Sequence, residues 1–502
     1  MARTDLSRPV ALALQDGVLQ SEHTFFDYGC GRGGDVRRLA ARGFRAGGWD
    51  PVHAPASPRE NADVVNLGFV LNVIQEPDER LRAVREAWSL AGRALVVAAR
   101  PDWEARGLVA RPHGDGWITS KGTFQKFYRQ NELQAWLEGS LGCTAFAAAP
   151  GVFYVFRREQ DAQLFRARQV RGPLLRSGVV PSELPAEDRA ALQELVDFVL
   201  RRGRLPGADE LEHGPVLIEA FSSVRRAALA AGESLNRHGG AAAVRARQDL
   251  QVYLALATFA GRPRWSSLAS ELQRDVRHLF GSYRKANAAA DELLQSAGQQ
   301  HELDRALATS QVGKRLPDAL YVHVSSLRSL DPVLRVYEGC ARVLVGHVQS
   351  ASIIKLQRVE RRVAYLAYPL FDRDPHPALQ FSLRVDLRSF DVKFRDFSES
   401  ENPPVLHRKE TFVADDYPKR ATFARLTKQE ERADLLGGND IGTRQGWLRA
   451  LAASGRGLRG HRLVQVTGQD LALPDVCECV AEKTRTGIQV VLECQTSRSP
   501  SR

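Results

Sequence analysis

Two acids and three glycines near the start of the chain have the spacing of a ligand clamp. Residues 26–36 read FDYGCGRGGDV, with Asp27 two positions ahead of Gly29 and Gly31 and Gly33 following at alternate places. A second acid, Asp50, ends the stretch GGWD. A strand that delivers such a run into a helix brings bare backbone against a ligand, where a Cβ would collide. The helix behind the loop offers backbone N–H groups. Asp27 then sets a carboxylate beside whatever lies over the loop, and Asp50 is placed to accept ribose hydroxyls.

The spacing narrows the ligand. Nicotinamide sites normally carry G-x-G-x-x-G, with no acid two residues before the first glycine. Here it is G-x-G-x-G, and Asp27 suits a cationic, amino-acid-bearing nucleoside better than a pyrophosphate. S-adenosylmethionine has an ammonium group, a sulfonium and a ribose. The segment resembles motif I of class I S-adenosylmethionine-dependent methyltransferases, and a glycine turn that binds nothing is the alternative. Only PVHAPASPRENA lies between Asp50 and Asp63. That is too short for a further helix and strand, so an abbreviated sheet edge is expected. The adenine wall must then come from Asp63, from Asn61 or from the helical region that follows.

The methyl acceptor would face residues leaving the next strand, NLGFVLNVI (66–74). Asn66 and Phe69 have the spacing of the Asn-Pro-Pro-Phe motif of amino-methyltransferases, with Leu67-Gly68 in place of the prolines, and they are the candidate catalytic pair. The alternative is an ordinary apolar strand-to-helix segment. GTFQKFYRQNEL (122–133) mixes aromatic and cationic groups, and Phe124, Lys126 and Tyr128 are its candidates for base stacking and phosphate contact. The competing reading makes Phe124 and Phe127 core residues leading into a helix.

In the last third, YPLFDRDPHPAL (368–379) and NPPVLHRKETF (402–412) bring Asp372, Asp374, His376, His407, Lys409 and Glu410 near strands. A metal-dependent nuclease site is conceivable there. Turn-forming Asp-Pro and a solvated charge run account for most of it, so no metal is expected. Six cysteines without a C-x-x-C pair support neither a disulfide framework nor a zinc ribbon, and Cys477, Cys479 and Cys494 find no histidine at a familiar spacing.

The elements that must position these residues follow from periodicity. FFDY, FRAGGWD, ADVVNLG and ALVVAA read as strands, with helices over 34–42, after Pro77 and over NELQAWLEGSLG, and VFYVFR as a last strand. This alternation predicts an α/β fold, a Rossmann-like class I methyltransferase domain over 1–160. Residues 161–330 show helical stripes, such as Leu192, Leu195, Val196 and Val199. Residues 331–502 are strand-rich, an α+β C-terminal domain with a hairpin over 379–397 and a frayed QTSRSPSR end. At 502 residues several domains are expected. The net charge of +11 favours polyanionic partners, nucleic acid first. No apolar run approaches the ~20 residues of a membrane span, and the first residues lack a secretory pattern, so a cytoplasmic protein is expected.

Longer strings resemble one family over nearly the whole chain. LSRPVALALQDG, FFDYGCGRGGDVRRL, ADVVNLGFVLNVIQEPDER, VGKRLPDALYVH, YPLFDRDPHPAL and NPPVLHRKETFV are similar to the bacterial methyltransferase family associated with DNA phosphorothioation. The resemblance implies a class I methyltransferase domain binding S-adenosylmethionine through Asp27, Gly29, Gly31, Gly33 and Asp50. It further implies DNA as partner, beside other proteins of a phosphorothioation-linked modification and defence system. A catalytically degenerate DNA-binding or regulatory subunit and a small-molecule methyltransferase remain open alternatives.

Overall fold

Strand pairs buried on both faces organise the first part of the chain. In the computed structural model, which describes residues 5–171, 180, 183–466, 483–484 and 487–488, β1 (Thr24–Tyr28), β2 (Arg45–Trp49), β3 (Ala62–Gly68) and β4 (Ala91–Ala98) are all parallel. The near-continuous apolar runs of β1, β3 and β4 are what a doubly covered parallel sheet requires, whereas β2, RAGGW, is only partly buried. Phe26, Tyr28, Val65, Leu67, Leu95 and Val97 pack on one face and Phe25, Val64, Ala94 and Val96 on the other. The first face is covered by α3 (Pro77–Leu90) and α4 (Gln130–Leu141), the second by α1 (Arg8–Gln15). Pro77 opens α3 where its missing N–H costs nothing.

The full sheet runs in the order β2-β1-β3-β4-β9-β8, where β8 is Ala145–Ala149 and β9 is Val152–Phe156. Strand β9 is antiparallel to both β4 and β8. From β1 the chain crosses through α2 (Gly34–Ala40) to β2 on one side, then returns to β3 on the other. The point where strand order reverses therefore lies between the ends of β1 and β3, where open α/β sheets bind ligands. Strand β2 is the sheet edge: after Trp49 the chain makes only an Asp50–Ala54 bridge before β3. The fold is α/β and Rossmann-like with an abbreviated edge, as the short Asp50–Asp63 interval predicts. A small antiparallel sheet of β5 (Ala110–His113), β6 (Gly116–Thr119) and β7 (Phe124–Gln125) precedes α4.

The chain forms two compact units. The first comprises Met1–Leu366, Leu383–Phe394 and Phe412–Ala414; the second comprises Ala367–Ser382, Arg395–Thr411 and Asp415–Arg502. Beyond β9 the first unit holds α5 (Glu159–Val170), α6 (Ala186–Arg202), α7 (Gly214–Phe221), α8 (Val224–Ala230), α9 (Gly232–Ala257), α10 (Ser270–Phe280), α11 (Tyr283–Gly298), α12 (Gln300–Thr309) and α13 (Pro332–Val345). Two buried acids organise these helices. Asp275 accepts from Arg171, Arg202 and Arg204, and Asp249 from Arg328 and Arg335. Part of the arginine excess thus neutralises interior carboxylates.

A second sheet follows in the order β10 (Lys314–Arg315), β11 (Ala319–His323), β12 (Ile353–Gln357), β13 (Arg362–Ala367), β14 (Phe381–Asp386) and β15 (Val392–Asp396). The adjacent β14 and β15 are the hairpin expected over 379–397. The second unit contains α14 (Arg420–Arg432), α15 (Arg444–Ala453) and the antiparallel pair β16 (Arg456–Leu458) and β17 (Leu463–Gln465). Leu435, Trp447 and Leu451 form one buried apolar cluster there, and Phe371, Phe423 and Leu426 are buried as well. The QTSRSPSR end and Cys477, Cys479 and Cys494 lie outside the described residues. No helix among the described residues is long and apolar enough to cross a membrane.

Candidate functional site

The loop after β1 needs its glycines. Gly29, Gly31 and Gly33 have φ of +84°, +53° and +68°, the left-handed region that side chains rarely adopt. A Cβ on Gly29 would stand 2.4 Å from Val70 Cγ2, whereas one on Gly31 would meet nothing within 4 Å. The loop is thus pinned to the β3 side at its first glycine and open at its second. Gly48 belongs to the same cradle, although the sequence does not single it out: a Cβ there would lie 2.9 Å from Cys30 Cβ and 3.1 Å from the Asp27 carbonyl. The pair Gly47-Gly48 ahead of Trp49 was its signal.

Two buried polar side chains meet where the strand order reverses. Asp27 and Asn66 are direct neighbours in the parallel register of β1 and β3, and Asn66 Nδ2 donates to Asp27 Oδ1 at 2.8 Å. Asn66 Oδ1, buried, has no hydrogen-bond partner. Strand alternation puts the pair on the face covered by α1, with Phe25 and Val64. At the head of α1, Ser7 donates its backbone N–H to Asp35 Oδ1 at 2.8 Å, and its buried Oγ also lacks a partner. Ser7 is a residue that sequence reasoning missed, because nothing local ties position 7 to position 35.

Asp50 closes the loop from β2. Its Oδ2 accepts from the Gly31 N–H at 2.9 Å, and its Oδ1 accepts from the N–H groups of Val52 at 2.9 Å and His53 at 2.8 Å. Burial works against its charge, but the hydrogen bonds from His53 and Val52, then Gly31, outweigh it and hold the carboxyl below the usual range. Oδ1 is filled, and Oδ2 retains one acceptor position. Cys30 between the two acids is a protonated thiol, pushed up to about 11 by burial and by the charges of Asp27 and Asp50.

The other expected residues divide. Asp63 is not at the loop. It lies near the start of β3, where Oδ2 accepts from Thr24 N–H at 2.9 Å and from Thr24 Oγ1 at 2.7 Å, at the opposite end of β1. Parallel pairing separates the two ends of a strand by its whole length, so Asp63 supplies no adenine wall. Asn66 and Phe69 do not form an amine clamp. Asn66 is still inside β3 and bonded to Asp27, while Phe69, at φ +63°, packs against the apolar cluster under α1. Its N–H donates to Ala98 O at 2.7 Å, which fixes that strained backbone.

Phe124, Lys126 and Tyr128 are likewise not an open stacking platform. Phe124 and Tyr128 are 6% and 3% exposed, so the core reading holds for the Phe124 ring, while Phe127, the other ring of that reading, is only half-buried. The Lys126 ammonium sits 3.0 Å from Asp115 Oδ2 and 3.1 Å from Glu132 Oε1. Arg80 binds both Asp115 oxygens, at 2.8 and 2.7 Å, and contacts the Tyr128 hydroxyl at 3.4 Å. This network ties β6 and β7 to α3, and it pairs Lys126 with the exposed carboxylates of Asp115 and Glu132 and Arg80 with that of Asp115. A cavity of about 190 Å³, lined in part by Gln134, Phe146, Arg166, Tyr253 and Arg342, touches none of the loop residues.

In the second unit the expectation of a solvated charge run fails for His376 and Lys409, which are 7% and 2% exposed. Lys409 Nζ donates to Phe371 O at 2.7 Å and to Asp374 O at 2.5 Å, and lies 3.0 Å from His461 Nε2. Burial, above all, lowers it to about 7. The His376 and His407 rings lie with centroids 4.4 Å apart and planes tilted by 41°, beside Trp447, and Glu430 of α14 reaches His376. Glu430 was not foreseen; it sits in an ordinary charged helical stretch.

No protein-family model matches the chain, and no curated protein matches it either. Solved structures with a similar portion include the 1,6-didemethyltoxoflavin-N1-methyltransferase of Burkholderia thailandensis, 16% identical over 30% of this chain and 75% of that one, TM-score 0.23. The sugar N-methyltransferase KedS8 of Streptoalloteichus sp ATCC 53650 is 14% identical over 30% and 85%, TM-score 0.24. The magnesium protoporphyrin IX methyltransferase of Synechocystis PCC 6803 is 18% identical over 30% and 80%, TM-score 0.23. Scores this low carry no argument about ligand or reaction; the fold rests on the strand order described above.

Proposed function

We propose that the loop and strand ends of β1, β2 and β3 bind S-adenosylmethionine and that the chain is a methyltransferase. The observation that carries this reading is the buried Asp27–Asn66 pair beside a glycine loop that a side chain would obstruct. Asp27 would hold the ligand's ammonium, and the unfilled Asn66 Oδ1 offers a second acceptor. Asp50 Oδ2, with one position left, would take one ribose hydroxyl. Bound there, S-adenosylmethionine supplies an electrophilic methyl group, whose transfer depends on positioning and exclusion of water.

DNA is the proposed acceptor, in a modification system linked to phosphorothioation. The support is the net charge of +11 and the resemblance of the long strings quoted above. A specific observation favours a second reading, a methyltransferase fold that binds DNA or regulates without turnover: Asn66 bonds to Asp27 and Phe69 packs inward. Calorimetric titration with S-adenosylmethionine tests the cofactor; the first reading expects saturable binding that Asp50→Ala weakens. A radiolabelled-methyl assay on bacterial DNA, total RNA and a small-molecule extract tests the acceptor. Label in DNA supports the proposal, label only in the extract transfers it to a small-molecule substrate, and binding without label supports the second reading.

A further inference from the structure

Three electron-pair donors in the second unit face one another with nothing yet assigned between them. His407 Nε2 lies 2.7 Å from Ile441 O, and a carbonyl can only accept, so Nε2 carries the hydrogen and Nδ1 the lone pair. His376 Nδ1 is 3.4 Å from Leu406 O, which assigns its lone pair to Nε2 by the same reasoning. That Nε2 is 2.7 Å from Glu430 Oε1. A ligand atom from each of His376, His407 and Glu430 lies within 4.8 Å of the other two. Glu430 is 0% exposed and its Oε2 has no hydrogen-bond partner. Trp447 Nε1, buried beside both rings, has none either. Donor lone pairs brought together away from water repel unless a proton or a cation lies among them.

We propose that His376, His407 and Glu430 bind one divalent transition-metal ion of the zinc type. Two imidazoles and one carboxylate match that class, whereas magnesium and calcium prefer oxygen ligands. Each imidazole has its other nitrogen turned to a backbone carbonyl, the arrangement that fixes the tautomer of metal-binding histidines. Metal–nitrogen bonds of about 2.0–2.1 Å place tetrahedral ligand atoms roughly 3.3 Å apart. The present separations therefore need shifts of less than about 1 Å per ligand. Three protein ligands leave a fourth position for water. His376 is further oriented by its backbone N–H, which donates to Asp374 Oδ1 at 2.9 Å. The bland alternative is a hydrogen bond between His376 and Glu430 that serves packing alone.

The site is independent of the methyl-transfer reading, and its test is metal content. The full chain, stripped with a chelator, is titrated with zinc against a chromophoric competitor, and bound metal is counted by plasma mass spectrometry. The background carries Cys477→Ser, Cys479→Ser and Cys494→Ser, so that thiols cannot account for the uptake. The proposal expects about one zinc per chain in that background, a cobalt derivative with tetrahedral absorption bands, and at least tenfold weaker binding in His407→Ala and Glu430→Gln. Glu430→Gln keeps size and hydrogen bonding, and circular dichroism verifies that it is folded. Absence of zinc uptake by the folded protein overturns the proposal. So does uptake that survives both ligand substitutions, or that disappears with the cysteines.

Discussion

The glycine-loop cleft and the histidine cluster each contain a buried polar pair, at 2.8 Å for Asn66–Asp27 and 2.7 Å for His376–Glu430. Each also leaves one buried acceptor oxygen unfilled, on Asn66 and on Glu430. They differ in what holds them. Asp27 and Asn66 are opposite one another in a hydrogen-bonded strand ladder, whereas His376 and Glu430 come from a turn segment and a helix. The ladder fixes one geometry and leaves an acceptor for a ligand's N–H or O–H donor. The cluster gathers lone pairs from loosely related segments, and a cation is the partner that relieves them. An unfilled buried acceptor is thus common to both candidate sites, and the groups around it differ in the chemistry they fit.

The largest effect expected is at Gly29. Gly29→Ala meets Val70 Cγ2 at 2.4 Å and imposes a side chain at φ +84°, so strain and overpacking together cost on the order of 3 kcal/mol. Gly43→Ala, at φ +86° with nothing within 4 Å, should cost only about 1–2 kcal/mol. Urea denaturation of the two variants separates collision from strain; equal losses would remove the argument that the loop is pinned to β3.

Next comes the pair itself. Asn66→Ala leaves the Asp27 carboxylate without its strand neighbour, for a loss of about 2 kcal/mol and at least tenfold in S-adenosylmethionine affinity. Glu430→Gln, which preserves shape, should change the stability of metal-free protein by less than about 1 kcal/mol. If Glu430→Gln proves the more damaging in metal-free protein, the two pairs are not distinguished as described.

Smaller effects are expected from residues that the structure moves away from the cleft. Asp63→Asn and Tyr128→Phe should leave S-adenosylmethionine affinity within about twofold, since one sits at the far end of β1 and the other in the core. A tenfold loss in Asp63→Asn, by calorimetry, would return Asp63 to the cofactor site, and one in Tyr128→Phe would bring Tyr128, expected only as a substrate contact, into it. The smallest effect concerns pH. The folded-state pKa of Asp50 is depressed, so its contribution is complete above the unfolded value and is lost only as pH falls through the lower folded one. Asp50-dependent affinity should therefore stay flat from pH 8 down to about 5. A midpoint inside that window would contradict its hydrogen bonding to Gly31, Val52 and His53.

Much of the first sheet was legible because its signals are local. ADVVNLG (62–68) coincides with β3, and the glycine spacing locates a turn that no other residue type tolerates three times in five positions. Strand β8 (Ala145–Ala149) was not foreseen, because AFAAA carries little apolar bulk and is placed by pairing with β9. Asp63 was misplaced for a related reason. A carboxylate near a strand looks the same in sequence at either end, and only the register with Thr24 tells which end it occupies. In GTFQKFY, aromatic and cationic residues suggested an exposed platform, but Asp115 and Glu132 arrive through tertiary contact and neutralise Lys126.

By itself the sequence determined the α/β alternation, the left-handed loop after β1 and the missing edge element, since periodicity, glycine and interval length act over a few residues. Only the tertiary structure placed Asn66 against Asp27, with a 2.8 Å hydrogen bond between their side chains. It alone gathered His376, His407 and Glu430, with the last two on segments 23 residues apart and Ile441 beyond them. Such juxtapositions arise from strand register and helix packing, whose partners leave no mark at each other's positions along the chain.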